Sequence, residues 1–166
     1  MLQQTGVSTV VPYFKRFIQE WPNIDALAKA TEDEVLNHWQ GLGYYSRGRN
    51  LLKTAKILCQ NYNNSVPQDI KNLISLPGIG EYASAAIRSI AFNKKATVVD
   101  GNVKRVIARF FALKGKLSDN ETDISNLAKF LTPNKCNSNY SQAIMEFGAL
   151  ICKPKDPKCS QCCLNK

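Results

Sequence analysis

The segment from residue 98 to residue 103 places a carboxylate, Asp100, at the start of a predicted helix. An Asp there usually caps the helix. Asn102 can cap the same helix, which would leave Asp100 free to point into a cleft. In a cleft, the carboxylate would stabilise a developing cation or act on an anomeric carbon, as glycosidase carboxylates do. From these residues alone the cap is favoured, and the catalytic alternative stays open.

A second segment, residues 76–80, contains Gly78, Ile79 and Gly80 after a proline and lies between two predicted helices. Glycines two residues apart permit positive φ angles and a close approach of the backbone to a ligand. The peptide N–H groups at the start of the second helix can hold a phosphate without reading base sequence. The alternative is an ordinary helix–helix turn with a glycine C-cap.

Cysteines concentrate at the end of the chain, where Cys152, Cys159 and Cys162 follow the spacing C-x6-C-x2-C. Such spacing indicates a metal or a cluster rather than disulfides. A [4Fe-4S] cluster takes four thiolates, and structural zinc takes four ligands. Cys163 adjoins Cys162, so the two would have difficulty converging on one site. We therefore expect three ligands here, with the fourth missing from this chain.

Charge and composition narrow the class of protein. The 166 residues carry 22 Lys and Arg against 13 Asp and Glu, a net charge of +9. A basic excess of this size fits a polyanion such as nucleic acid, although it also aids solubility. The sequence has no apolar run long enough for a membrane span and no visible signal peptide. A soluble, intracellular protein of one domain or two small lobes is expected.

Helical periodicity dominates the elements that must position these groups, so the fold class is predicted to be all-α. Thr31 to Glu34 is typical of a capping box, and Asp25 is predicted to cap the preceding short helix. The run 96–99 resembles a strand but is too short to build a sheet. Further helices are predicted over 68–75, 82–91, 103–111, 123–131 and 140–151.

Five segments in this order resemble the MutY-type adenine DNA glycosylases, which belong to the helix-hairpin-helix superfamily together with endonuclease III. The segments are residues 1–5 (MLQQT), 41–47 (GLGYYSR), 76–82 (LPGIGEY), 99–106 (VDGNVKRV) and the cysteine tail. The resemblance covers essentially the whole chain. It implies a six-helix barrel lobe over 1–96, with the hairpin motif at about 68–91. It also implies a helical lobe over 97–166 that ends in the incomplete iron–sulfur motif, with the catalytic cleft between the lobes.

The resemblance implies excision of adenine mispaired with 8-oxoguanine or guanine in double-stranded DNA. The adenine must leave the base stack because its glycosidic bond is unreachable inside the duplex. Asp100 would stabilise or trap the oxocarbenium-like sugar, and Asn102 would position the adenine or Asp100. Tyr82 stands where related lyases place a Schiff-base lysine. A phenol forms no imine, so a monofunctional glycosylase is expected.

The same resemblance assigns residues that contact DNA. Gln4 and Tyr44 resemble wedge residues that enter the stack, with Thr5 and Leu42 nearby, and Gln142 resembles a residue of the adenine pocket. Gly78, Ile79 and Gly80 would donate backbone N–H groups to phosphate. Arg47, Lys104 and Arg105 are predicted to contact phosphate or to give local support. Cys152, Cys159 and Cys162 would hold a [4Fe-4S] cluster.

The chain also departs from the family pattern. The family's general-acid glutamate would lie two positions before residue 1, the fourth cysteine beyond Lys166, and a lesion-reading C-terminal domain is absent. We therefore expect a fragment that excises adenine slowly or not at all. A monomer acting on bacterial nucleoid DNA in the cytoplasm is expected. Two alternatives remain: a thymine or uracil mismatch glycosylase of the same superfamily, and a non-catalytic DNA-binding remnant.

Overall fold

The computed structural model describes residues 1–3 and 5–165, and these residues form helices and connecting loops without a strand. The all-α prediction is confirmed. The α-helices are α1 (Val7–Glu20), α2 (Ile24–Lys29), α3 (Glu32–Trp39), α4 (Ser46–Asn61), α5 (Ile70–Ile74), α6 (Glu81–Ala86), α7 (Gly101–Phe110), α8 (Glu121–Leu131) and α9 (Asn137–Leu150). A π-helical segment, Ile87–Ala91, continues α6, and short 3-10 turns span Leu117–Asn120 and Cys159–Gln161. Gln4, a predicted wedge residue, lies outside the described residues.

The chain divides into two compact units, Met1–Ile79 and Gly80–Lys166. The division falls inside the glycine hairpin, earlier in the chain than the expected lobe boundary at 96/97. The assignment of the two expected lobes stays a prediction. Every candidate catalytic residue and every cysteine of the tail belongs to the second unit, whereas the candidate wedge residues belong to the first.

The first unit packs α1, α3 and α4 around Trp39, whose side chain is fully buried. Gly48 permits this packing because a Cβ at that position would lie 3.1 Å from the Trp39 ring. Thr31 and Glu34 form the predicted capping box at α3. The cap of α2 is Asn23, whose side chain accepts from the Ala26 N–H, and not Asp25 as predicted.

The glycine hairpin follows α5 and contacts residues of α4. The hydroxyl of Thr54 donates to the Pro77 carbonyl at 3.0 Å. Gly78 has a φ of +78°, and a Cβ there would lie 2.9 Å from the Asn50 side chain. Both the left-handed backbone and the close contact therefore require glycine at this position.

The second unit packs α7, α8 and α9 around Val103, Ile107, Ile124 and Ala128, all of them buried. The predicted helix over 82–91 forms, but its second half widens into the π-helical segment. There Ser89, fully buried, hydrogen-bonds to the Asn137 carbonyl and to Ser141 of α9. Among the described residues, no helix is both long and apolar enough to cross a membrane.

Candidate catalytic site and DNA-facing loop

Asp100 is the N-cap of α7 and also lies at the centre of the candidate catalytic site. Its Oδ1 accepts from the Val103 N–H at 2.7 Å, and its Oδ2 accepts from Asn102 Nδ2 at 3.2 Å. The cap and the catalytic role are compatible, because one carboxylate oxygen makes the cap and the other is directed at Asn102. The helix dipole favours a negative charge at this end. The favoured assignment of Asp100 as the cap is confirmed, and Asn102, the alternative cap, lies within the first turn of α7.

Asn102 is held on its other side by Arg105, one turn further along α7. Arg105 Nη2 donates to Asn102 Oδ1 at 2.9 Å and to the Gly148 carbonyl at 2.6 Å. With its amide oxygen engaged by a cation, Asn102 presents its amide nitrogen to Asp100. The orientation of Asn102 is therefore fixed by the protein in the absence of any ligand.

The same arginine connects the site to the cysteine tail. Arg105 Nε donates to the Cys152 carbonyl at 2.8 Å. Arg109, four residues on and hence on the same helix face, donates to the carbonyls of Lys153 at 2.7 Å and Pro154 at 3.1 Å. A continuous hydrogen-bonded path thus runs from the Cys152 backbone through Arg105 and Asn102 to Asp100. Because its guanidinium donates to protein acceptors, the geometry favours local support of the site as the role of Arg105 over contact with phosphate.

Gly148 allows α9 to approach α7 at the level of Asn102. A Cβ on Gly148 would lie 2.7 Å from the Asn102 Cβ and 3.0 Å from its carbonyl oxygen. Real Cβ atoms do not tolerate such distances, so a larger residue would push α7 and α9 apart. Sequence reasoning missed Gly148, because a glycine inside an apolar helix gives no indication of what it faces.

Tyr82, on α6, belongs to the same group of residues. Its hydroxyl donates to Met145 Sδ at 3.7 Å, and partial burial, followed by the charge of Asp100, raises the pKa of the phenol above 10.0. The phenol therefore stays neutral at physiological pH. Gln142, the predicted adenine-pocket residue, is exposed on α9, and its amide nitrogen donates to Ser138 Oγ at 3.1 Å and to the Ser138 carbonyl.

The predicted cluster ligands Cys152, Cys159 and Cys162 all line one cavity of about 220 Å³. Its walls are mostly apolar and include Phe110, Phe147 and Ile151, while the exposed Cys163 is not among its lining residues. Across the part of the chain that the structure describes, no three Cys, His, Asp or Glu side chains gather closely enough for a single metal ion. Three thiols around a cavity fit a multi-atom cluster better than one zinc ion, which holds sulfur at about 2.3 Å.

In the first unit, the loop between α3 and α4 presents Tyr44 to solvent. Tyr44 is 66% exposed and has a φ of +46°, which is uncommon for a residue other than glycine. Leu42, predicted to lie near the wedge, is 5% exposed and packs into the core. Leu42 therefore packs beneath the loop, and its predicted place near the DNA stays a prediction.

Arg47 and Lys104, predicted to contact phosphate or to support the site, are both engaged by protein groups. Arg47 donates to the Thr5 hydroxyl at 3.1 Å and to four backbone carbonyls. Lys104 pairs with Glu121 at 2.5 Å. The geometry favours local support for both, and direct contact with DNA stays a prediction.

Comparison with known proteins shows the family to which the chain belongs. Residues 1–133 match the model of the HhH-GPD superfamily base excision DNA repair proteins. The chain is 43% identical over 165 residues to the adenine DNA glycosylase of Buchnera aphidicola subsp. Baizongia pistaciae, covering 99% of this chain and 47% of that protein. It is 42% identical to the human adenine DNA glycosylase, covering 98% of this chain and 30% of that protein. The chain thus spans about half or less of the length of these relatives.

Solved structures give the same family. A thermostable thymine-DNA glycosylase superposes with a TM-score of 0.87 at 30% identity, over 98% of this chain and 76% of that one. Endonuclease III trapped covalently on DNA superposes with a TM-score of 0.81 at 25% identity, over 98% of this chain and 76% of that one. With its hairpin, its all-α fold and a family match over most of its length, the chain belongs to the HhH-GPD superfamily of base excision DNA repair proteins.

Proposed function

We propose that this chain carries the catalytic part of an adenine-specific DNA glycosylase, which hydrolyses the N-glycosidic bond of adenine mispaired with 8-oxoguanine or guanine. The observation that carries the proposal is the Asp100–Asn102–Arg105 arrangement, in which a carboxylate is held at a helix N-terminus with one oxygen outside the cap bond. The identity to adenine DNA glycosylases over nearly the whole chain supports adenine as the base.

In the proposed reaction the C1′–N9 bond of the extruded deoxyadenosine breaks, and the bonding electrons leave with the adenine, which takes up one proton. The sugar becomes an oxocarbenium-like cation, which the Asp100 carboxylate stabilises or traps covalently. Water adds to C1′ and loses a proton, so the products are free adenine and an abasic site. The adenine needs a proton to leave readily, and that acid is not assigned to any described residue.

Recognition of DNA is proposed to divide between the two units. Tyr44 would enter the base stack beside the mispair, since an exposed aromatic ring in a fixed loop can replace a lost stacking partner. The N–H groups of Gly78 and Gly80 would hold a phosphate, whereas the Ile79 N–H donates to the Leu76 carbonyl at 3.1 Å within the turn. Gln142 would face the adenine, whose Watson–Crick edge offers both a donor and an acceptor to an amide.

We also propose that Cys152, Cys159 and Cys162 hold a [4Fe-4S] cluster. The cavity that all three line supports this assignment, as does the apolar wall that would shield a cluster from water. Bound there, the cluster would fix the tail and thereby the Cys152 carbonyl. That carbonyl accepts from Arg105, so the tail and the catalytic carboxylate are connected through protein hydrogen bonds.

The test compares duplexes that carry A:8-oxoguanine, T:G or a normal C:G pair at one position, with single-turnover excision and binding measured on each. We expect tighter binding to the A:8-oxoguanine duplex and adenine release confined to it, even if slow. Release of thymine from T:G would favour the alternative function, a mismatch glycosylase, since a thymine-DNA glycosylase has a similar structure. Equal binding to all three duplexes without release would favour a non-catalytic DNA-binding role.

A further inference from the structure

One half-buried arginine side chain in the first unit, that of Arg47, links two segments that are distant in sequence. Arg47 Nη1 donates to the Met1 carbonyl at 2.7 Å and to the Gln3 carbonyl, and Nη2 donates to Thr5 Oγ1 at 3.1 Å. Nη2 also donates to the carbonyls of Leu42 at 3.0 Å and Gly43 at 3.1 Å. The Arg47 side chain therefore bonds both to the N-terminal segment and to the loop before α4, and Met1 adds apolar packing against the core of this unit.

The aromatic rings on either side complete this arrangement. The Arg47 guanidinium carbon lies 5.4 Å from the Tyr44 ring centroid and 5.6 Å from that of Trp39, within cation–π range. Trp39 Nε1 donates to the same Gly43 carbonyl at 3.1 Å. Two donors therefore converge on the peptide that precedes Tyr44.

Tyr44 needs such support because its conformation is unfavourable in isolation. A tyrosine at a φ of +46° is strained, and strained residues persist only where the surroundings hold them. The neighbouring Gly43 also has a positive φ, of +69°. Without Arg47, we expect the loop to relax and the ring to lose its fixed exposure.

A phosphate contact does not explain Arg47 equally well. Both terminal nitrogens of the guanidinium donate to protein acceptors, and the remaining Nε is buried with no partner among the described residues. Lysine would not substitute, because one ammonium cannot reach acceptors spread around a planar fork or stack between two rings. Arg49, two residues along α4, differs in making only an exposed pair with Glu32 at 2.8 Å.

We propose that Arg47 is a positioning residue that fixes Met1, Gln3 and Thr5 to the loop 41–44, so that Tyr44 is presented in one conformation for insertion beside the mispair. The proposal deepens the proposed glycosylase function, on which its role in base extrusion rests. The connection between the two segments is a property of the free protein and is testable without DNA.

The first experiment measures hydrogen exchange of the DNA-free chain in Arg47→Lys and in the matched control Arg49→Lys. We expect faster exchange in residues 1–5 and 41–45 of Arg47→Lys alone, with the rest of α4 unchanged in both variants. Unchanged exchange in those two segments would overturn the proposal. If Arg47→Lys unfolds, Thr5→Val, which removes one acceptor, is expected to loosen the same segments by a smaller factor. If Thr5→Val does not speed exchange in those segments, the positioning role of Arg47 is overturned as well.

The second experiment uses a double-mutant cycle of Arg47→Lys and Tyr44→Ala, read from the fluorescence of 2-aminopurine placed next to the adenine of an A:8-oxoguanine duplex. If Arg47 acts through Tyr44, each single variant reduces unstacking about tenfold or more and the double variant is no worse than Tyr44→Ala alone. If the reductions in unstacking caused by the two single variants multiply in the double variant, the proposal is overturned. Absence of unstacking in the unaltered chain would instead count against the glycosylase function, and the exchange result would still decide the role of Arg47.

Discussion

At the scale of single residues, Asp100 serves two purposes with one carboxylate. One oxygen caps α7 and the other meets Asn102. Helix capping alone would accept Asn, Ser or Thr equally well. The chemistry proposed for the second oxygen needs a negative charge, and this difference makes the two roles separable by one substitution.

Asp100→Asn is expected to abolish adenine release while binding to the A:8-oxoguanine duplex stays within about twofold and stability within about 1 kcal/mol, since Asn caps well. Single-turnover excision, duplex titration and thermal unfolding check this. The matched control is Asp69→Asn, which alters the N-cap of α5 and should leave excision unchanged. Unfolding of Asp100→Asn with no separate loss of catalysis would leave Asp100 as a cap only.

Tyr82 gives a test that needs no substrate. Burial and, secondarily, Asp100 raise the pKa of its phenol. In Asp100→Asn we expect the pKa of Tyr82 to fall part of the way toward its ordinary value. Tyr140, whose pKa is raised by burial alone, should not move. Site-resolved NMR titration distinguishes the two phenols, and a shift in Tyr140 or none in Tyr82 would contradict the proximity of Tyr82 to Asp100.

The raised pKa of Tyr82 also predicts how the stability of the folded chain changes with pH. Above about pH 10 the unfolded chain releases the phenolic proton before the folded chain does. The contribution of Tyr82 to stability is therefore complete below pH 10 and is lost as pH rises through its folded pKa. Tyr82→Phe should weaken this loss in chemical unfolding measured between pH 9 and pH 11.

At the scale of elements, α7 is the organising helix of the site. Its first turn carries Asp100 and Asn102, while Arg105 and Arg109 on the following turns bind backbone carbonyls near Cys152. Helix α9 supplies Gly148, which lets the two helices approach. The contact between α7 and α9 therefore contributes to the positions of both the carboxylate and the tail.

Gly148→Ala is expected to destabilise the protein by about 1–3 kcal/mol, in the range typical of overpacking, and to slow excision by displacing Asn102. Denaturant unfolding and excision rates measure the two effects. Gly101→Ala is the control on α7, because a Cβ there meets nothing within 4 Å. Equal stability of the two variants would contradict the close contact between Gly148 and Asn102.

The cysteine tail allows a second test at this scale. Cys162→Ser is expected to lower iron content and the broad visible absorption of a cluster, since Cys162 lines the cavity. Cys163→Ser, at the adjacent exposed position, should retain both. Colourless protein containing zinc, or equal iron in the two variants, would contradict the assignment of ligands.

For the whole molecule, the net charge of +9 favours binding to a polyanion, and the number of phosphates contacted sets how the affinity responds to salt. Each phosphate neutralised contributes a slope of about −0.9 to log K against log[salt]. We expect binding to the A:8-oxoguanine duplex to weaken linearly on this scale between 50 and 200 mM salt, with Arg49→Gln leaving the slope unchanged because Arg49 is paired with Glu32. Affinity independent of salt would contradict binding to the DNA backbone.

The sequence by itself determined the helical class, the glycine hairpin, the position of Asp100 at a helix start and the spacing of the cysteines. These features are local: they depend on periodicity, on backbone freedom and on side chains a few residues apart. The order of the motifs was also enough to indicate the family, which the comparisons confirm.

Only the tertiary structure showed that Arg105 joins Asn102 to Cys152 and that Gly148 faces Asn102. It also showed that Leu42 is buried and that Arg47 bonds to Met1, Gln3 and Thr5. Apart from the burial of Leu42, each of these arrangements includes a contact between two residues that are more than 40 positions apart in the sequence. Sequence periodicity cannot specify them, because a side chain's partners across the fold are set by how helices pack. For the same reason, an arginine that binds phosphate and one that binds its own backbone look alike in sequence.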